Sequence, residues 1–382
     1  MRAQRLQAWP NYVLFATGDR PTVSANPVMM GNPVMMGNPV MMGNPVMMGN
    51  PVMMGNPSMP GGGSWGAPCA CCRHAPCCCA GGVSTQPVPR GSSVEPARAE
   101  PWLERPGAGI GARCRVVVLD TGLAGVDRGG KYLGSLPDVA ARAAEAWGPS
   151  KAGVTTDNFD GPDENDDDWL DPVSGHGTFI ATLIARLARG SEVTVGRVLE
   201  TTGEGNDADV AFRIAQLLTD PPEILCLSMS CYTDEDKPPP GLASAIAALQ
   251  SAGTVVVASA GNDSTCRQSW PAALPDVVAV GALGPTGPAA FTNFGPWVRA
   301  CAPGVDVVSH FFDGVERLNP DPTQYLGWAS WCGTSFAAPI VAGAIAREIR
   351  LNGLSPTAAA ERVVDDPRLF RLPYLGTVVN LH

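Results

Sequence analysis

The chain has 382 residues, 45% of them apolar and 16% charged, with a formal net charge of −10. That much apolar material can build a sizeable core, so a wholly disordered chain is excluded. An acidic balance argues against nucleic-acid binding, which needs a Lys/Arg surface to neutralise phosphates. No apolar run reaches the roughly 18 residues that a membrane span requires.

The first segment, 1–25, has two early arginines and a short apolar stretch framed by Pro10-Asn11 and Gly18-Asp19-Arg20. It makes a poor secretion signal, so the expectation is a cytoplasmic protein, with secretion left open. Segment 26–60 repeats NPVMMG five times and then breaks off in a partial sixth copy. Its recurring prolines forbid a continuous helix, and Asn-Pro and Gly-Asn form turns. Three readings stand: a flexible low-complexity segment, a peptide carried as cargo, or a short ordered repeat.

Segment 61–108 opens with a Cys-rich stretch and continues as a Pro/Gly/Ser linker. Cys69, Cys71, Cys72, Cys77, Cys78 and Cys79 crowd around His74 and are candidate thiolate ligands for zinc or copper(I). Adjacent cysteines cannot all face one tetrahedral ion, so a reactive unstructured tail is the competing reading.

From residue 109 to 382 the character changes to that of an α/β domain. Short apolar runs at 115–119, 193–198, 224–227, 254–258 and 277–280 read as buried parallel strands. Helices are expected at 139–146, 178–189, 207–218, 242–251, 335–350 and 356–364. Residues 157–171 hold eight acidic side chains. Asp163, Asp166 and Asp168 are candidate oxygen ligands for a structural calcium ion, against the plainer reading of a solvated acidic run. Most of the six cysteines beyond the linker adjoin apolar strands, so buried free thiols are the default reading.

Three segments of this domain carry chemistry. RVVVLDTG ends a strand on Asp120, and open α/β sheets put their sites at strand carboxyl ends. SGHGTFIA sets His176 between glycines at a helix start, where flanking glycines would leave the imidazole accessible. CGTSFAAPIVAG opens a helix of small residues with Ser335, either a helix cap or a nucleophile favoured by the helix dipole. Pro339 falls in the first turns of that helix, where a missing N–H costs least.

Together these segments resemble the subtilases, the subtilisin-like serine peptidases, over residues 109–382. VVVLDTG, GHGTFIA and GTSFAAPIVAG resemble the family's Asp, His and Ser signatures in the family's chain order. VVVASAGN resembles its oxyanion segment, ending in Asn262, and ILCLSMS resembles the strand lining its substrate cleft. The resemblance implies a three-layer fold, with a mainly parallel sheet between helices. It also implies a serine endopeptidase in which Asp120, His176 and Ser335 form the triad and Asn262 donates to the oxyanion. Ser228, Met229 and Ser230, with Ala258, Ser259, Ala260 and Gly261, would be backbone edges for an extended substrate. No cofactor is needed for such chemistry. The implied partners are polypeptide substrates and, as one option, the chain's own N-terminal region. Two departures stand out. Ser230 sits where the family often has glycine, and no folded inhibitory propeptide is recognisable before residue 109. Two other readings compete: a maturation protease fused to a cargo spanning roughly residues 1–105, and an inert peptidase fold serving as a metal-binding scaffold.

Overall fold

The alternation of side chains along a strand decides the architecture. In Arg115–Asp120 (β3), Val116 and Val118 join one apolar cluster, and Val117 and Leu119 join another. Ile224–Leu227 (β8) divides in the same way, with Ile224 and Cys226 against Leu225 and Leu227. So does Val255–Ser259 (β10), with Val255 and Val257 against Val256 and Ala258. A strand apolar on both faces must be covered on both. The protein is therefore a sheet between two helical layers, as expected from the sequence. The structure, a computed structural model, describes residues 13–16, 88–89, 111–124, 159–161, 164, 171–316 and 324–379. The expected helix 139–146, the repeat, the Cys-rich segment and Asp163, Asp166 and Asp168 lie outside the described residues.

In chain order, the described strands before β3 are Val13–Ala16 (β1) and Val88–Pro89 (β2). Leu123–Ala124 (β4) and Phe159–Asp160 (β5) follow β3, then helix His176–Leu187 (α1), Glu192–Arg197 (β6) and Glu204–Asn206 (β7). Helix Asp207–Leu217 (α2) precedes β8, and Met229–Ser230 (β9) and helix Pro240–Ser251 (α3) precede β10. Val278–Gly284 (β11), Gly287–Pro288 (β12), Ala300–Pro303 (β13), Val307–Glu316 (β14) and Gln324–Trp331 (β15) come next. Helix Thr334–Asn352 (α4), helix Pro356–Ala360 (α5), Arg371–Leu372 (β16) and Gly376–Val378 (β17) complete the domain.

The main sheet runs β16-β17-β13-β11-β10-β8-β3-β6. Every pairing from β17 through β6 is parallel; β16, and β12 beside β11, pair antiparallel. Helices α1 and α4 cover one face through Phe179, Ile180, Ile184, Phe336, Ile340 and Ile345. Helices α2 and α3 cover the other through Val210, Ile214, Leu242, Ile246 and Leu249. Each such fully buried side chain contributes roughly 1.5–3 kcal/mol. Because β3, β8 and β10 are parallel, their carboxyl ends meet along one edge of the sheet, and the segments carrying Asp120, Ser228 and Asn262 all emerge there.

Smaller sheets flank the main one. β14 and β15 form an antiparallel hairpin extended by β2, and β4 pairs in parallel with β5. The sequence reading missed the hairpin. A third sheet has the order β7-β1-β9.

Candidate active site

Asp120 closes β3 and is buried. Its Oδ1 accepts from the Thr121 N–H at 2.8 Å and lies 2.7 Å from His176 Nδ1. A carboxylate oxygen can only accept, so Nδ1 carries a hydrogen, and in the neutral ring the lone pair is on Nε2. Among the described residues Nε2 has no hydrogen-bond partner.

His176 is the first residue of α1, and its setting differs from the sequence expectation. The imidazole is 0% exposed rather than accessible. Its flanking glycines serve close packing instead. A Cβ at Gly175 (φ +81°) would stand 2.4 Å from the Phe311 ring, and one at Gly177 would stand 2.2 Å from the Gly122 carbonyl. Trp331 and Phe336 pack edge-on to the imidazole, with centroids 5.4 and 5.3 Å away. Neither was singled out from the sequence. Their only signal was two aromatics bracketing the Ser335 segment.

Ser335 is the second residue of α4, buried, with Oγ 3.5 Å from the Ser228 carbonyl. Pro339 lies four residues further on, inside the helix rather than at its orphan first positions. Without an N–H it cannot bond the Ser335 carbonyl. The Ser228 hydroxyl takes that carbonyl instead, at 2.9 Å. A proline that would elsewhere only weaken a helix here couples the Ser335 turn to the segment beside it.

Asn262 follows β10. Its Oδ1 accepts from both the N–H and the hydroxyl of Thr334, each at 2.9 Å. A backbone N–H can only donate, so the amide orientation is fixed and Nδ2 points the other way. Nδ2 is buried with no partner among the described residues. Such an orphan donor costs about 1–3 kcal/mol, so it is not retained for stability.

The other sequence candidates divide. Ser228, Met229 and Ser230 form a buried edge beside Ser335. Ala258 is paired on both sides within the main sheet, to Leu227 and Ala279, which leaves it no backbone edge for a substrate. Ser259 pairs with Val280, the Ala260 N–H bonds the Val280 carbonyl, and the Gly261 N–H goes to Thr334 Oγ1.

The acidic stretch is not simply solvated. Asp160 is buried, and its Oδ2 accepts from Thr121 Oγ1 at 2.6 Å and the Gly175 N–H at 2.8 Å. Thr121 Oγ1 in turn accepts from the Gly177 N–H at 3.1 Å. One carboxyl thus ties the loop after Asp120 to the start of the His176 helix. Burial pushes its pKa up to about 8. Glu164 grips the buried Arg197 with both oxygens, at 2.7 and 2.6 Å, and Asp171 accepts from Thr201 at 2.6 Å. Burial works against the Arg197 charge, but Glu164, Asp160 and Glu200 outweigh it and hold its pKa up.

Among the described residues no group of three His, Cys, Asp or Glu could hold a metal ion. No described helix is long and apolar enough to cross a membrane. Cys114, Cys226 and Cys301 are buried free thiols, Cys231 is a buried cysteine, and Cys332 is a half-buried free thiol. Burial raises the Cys332 pKa, which lowers its reactivity toward thiol reagents. Cys266 departs from the expectation of free thiols, because it is disulfide-bonded.

Known proteins resemble this chain in sequence and in fold. Residues 111–365 match the family model described as the subtilase family. A thermophilic serine proteinase of Bacillus sp. (strain AK1) is 32% identical over 215 residues, which is 53% of this chain and 49% of that protein. Subtilisin Savinase of Lederbergia lenta is 28% identical over 271 residues, 68% of this chain and 84% of that protein. The chain thus spans about half the length of the first of these relatives. A solved cold-adapted subtilisin-like serine proteinase shares the fold, with a TM-score of 0.53 and 22% identity over 70% of this chain and 89% of that one. The chain belongs to the subtilase family, the subtilisin-like serine peptidases.

Proposed function

We propose that this chain is a serine endopeptidase that hydrolyses peptide bonds of polypeptide substrates through an acyl-enzyme. The observation that carries this reading is the buried Asp120–His176 pair at 2.7 Å, which in the neutral ring keeps the Nε2 lone pair for Ser335, the second residue of α4. Ser335 Oγ attacks the substrate carbonyl while His176 Nε2 takes its proton. Asp120 holds the tautomer and stabilises the imidazolium. Asn262 Nδ2 donates to the tetrahedral oxyanion, a use that accounts for an otherwise unpartnered buried donor. His176 then delivers the proton to the leaving amine, and water releases the acyl group. The aromatic rings around the imidazole lower the local dielectric and strengthen each of these interactions.

The substrate strand is held by the backbone of residues 228–230 on one side and, beyond the sequence expectation, residues 204–206 on the other. The chemistry needs only these side chains and water, with no cofactor. Turnover of a fluorogenic peptide library by purified protein, beside Ser335→Ala, tests the reading. Hydrolysis by the first alone is expected, and equal hydrolysis by both overturns it.

A further inference from the structure

The direction of Asn262 Nδ2 depends on how the loop that carries it is held. Residues 260–265 leave β10 in a tight turn in which Ser264, a residue with a Cβ, sits at φ +53°. Such backbone persists only where its surroundings over-determine it. Here the surroundings are residues 290–294. The Ser264 N–H and hydroxyl donate to the carbonyls of Phe291 and Ala290, the Phe294 N–H donates to the Thr265 carbonyl, and the Asn293 N–H donates to the Gly261 carbonyl.

The Asn293 side chain closes the inside of this loop. It is 0% exposed. Its Oδ1 accepts from the N–H groups of Asp263 at 2.9 Å and Thr265 at 3.2 Å. Its Nδ2 donates to the Ala260 carbonyl and to the Tyr232 hydroxyl, each at 2.8 Å. A side-chain amide has two N–H donors and two acceptor lone pairs, so its whole capacity is spent. Ala260, Asp263 and Thr265 offer backbone groups on both sides of Asn262. Tyr232 donates on to Asp263 Oδ2 at 2.8 Å and lies just past the cleft edge that ends at Ser230. Gly261 leaves room for this packing, since a Cβ there would stand 2.4 Å from Nδ2. Asn262 is thus gripped twice: Thr334 holds its Oδ1, and Asn293 holds the backbone that carries it.

We propose that Asn293 is a positioning residue for the hydrolytic reaction, one that aims the Asn262 amide at the developing oxyanion. This rests on the peptidase reading above. Among the described residues, no hydrogen bond of the Asn293 side chain reaches Asp120, His176 or Ser335, so it neither moves a proton nor meets the reacting atoms. It acts through Asn262. An oxyanion donor stabilises the transition state only when it already points to where charge develops. A loop free to shift by about 1 Å forfeits about 100-fold in rate. The substrate backbone is still held by residues 228–230, so the loss falls on kcat rather than on KM.

The test joins a double-mutant cycle on kcat to amide exchange, both on full-length protein. Asn293→Ala should lower kcat about 100-fold with KM within about threefold. In an Asn262→Ala background the aimed donor is gone, and the same change should lower kcat by no more than about threefold. Backbone amides of 261–265 should exchange at least about tenfold faster in Asn293→Ala, while β3, β8 and β10 stay protected. Tyr232→Phe removes a single partner of Nδ2. It should lower kcat about tenfold, with the same cancellation in the Asn262→Ala background, and it decides the matter if Asn293→Ala does not fold. A folded Asn293→Ala within about threefold of wild-type kcat overturns the proposal, and so does a loss that persists undiminished once Asn262 is alanine. A wild type that hydrolyses no peptide and takes no fluorophosphonate refutes the peptidase reading instead. Exchange at 261–265 then still decides whether Asn293 holds the loop.

Discussion

Asn262 performs two separable tasks, and two substitutions pull them apart. Its Oδ1 holds the Thr334 N–H and hydroxyl at 2.9 Å each, and its Nδ2 is the unpartnered donor. Asn262→Asp keeps an oxygen at the Thr334 end and replaces the donor with a second acceptor. Losing one oxyanion donor costs about 100–1,000-fold in kcat, or about 3–4 kcal/mol. A negative oxygen near the developing oxyanion adds repulsion of about 5 kcal/mol for charges ~3 Å apart at an effective dielectric of ~20. The expected kcat is therefore at least about 1,000-fold below wild type, with KM within about threefold and Tm nearly unchanged. Asn262→Ala loses the same donor and also strands the buried Thr334 N–H. It should fall about 100–1,000-fold in kcat and lose about 1–3 kcal/mol of stability as well. Steady-state kinetics on a fluorogenic peptide and urea unfolding of both variants provide the readout. An Asn262→Asp enzyme within tenfold of wild-type kcat would refute the assignment of Nδ2 to the oxyanion.

Other substitutions probe the support around the site. The Asp160 pKa is raised from 3.8 to about 8, so its stabilising contribution is full below about pH 4 and lost as pH rises through 8. Asp160→Asn keeps an acceptor for Thr121 and Gly175 without the ionisation; its unfolding free energy should be flatter than wild type between pH 5 and 9, and identical pH slopes would contradict this. Arg197→Met leaves Glu164 and Glu200 without their shared cation. The two carboxylates are 30% and 50% exposed and regain water, so the loss should be about 1–3 kcal/mol in urea unfolding, and no measurable loss would contradict it. Gly177→Ala puts a Cβ 2.2 Å from the Gly122 carbonyl, so α1 must shift. Roughly 1–3 kcal/mol of stability and at least a tenfold loss of kcat are expected, checked by thermal unfolding and kinetics.

The sequence made the central strands legible because parallel strands covered on both faces are continuous apolar runs. β3, β8 and β10 are such runs, and α1, α2 and α4 followed from their periodicity and small residues. Asp120, His176, Ser335 and Asn262 stood out through motifs whose order is distinctive. What stayed hidden depends on partners distant in the chain. VLFA at 13–16 is four apolar residues with no local sign that its neighbours lie near 205 and 230. Asp160 was one carboxylate among eight, and charge density does not say which of them finds two donors in the interior. Trp331 and Phe336 bear on His176 only once α1, α4 and β15 are packed together. Ala258 looked like a cleft edge because its motif leads to Asn262, yet its own backbone is spent on β8 and β11.

The central claim is that Ser335 is an activated nucleophile. Fluorophosphonate labelling of the purified full chain, read by intact mass beside Ser335→Ala and His176→Ala, tests it directly. The account predicts one covalent adduct on wild type, none on Ser335→Ala, and labelling of His176→Ala slowed by orders of magnitude. An adduct of equal yield on Ser335→Ala, or none on folded wild type, would contradict it.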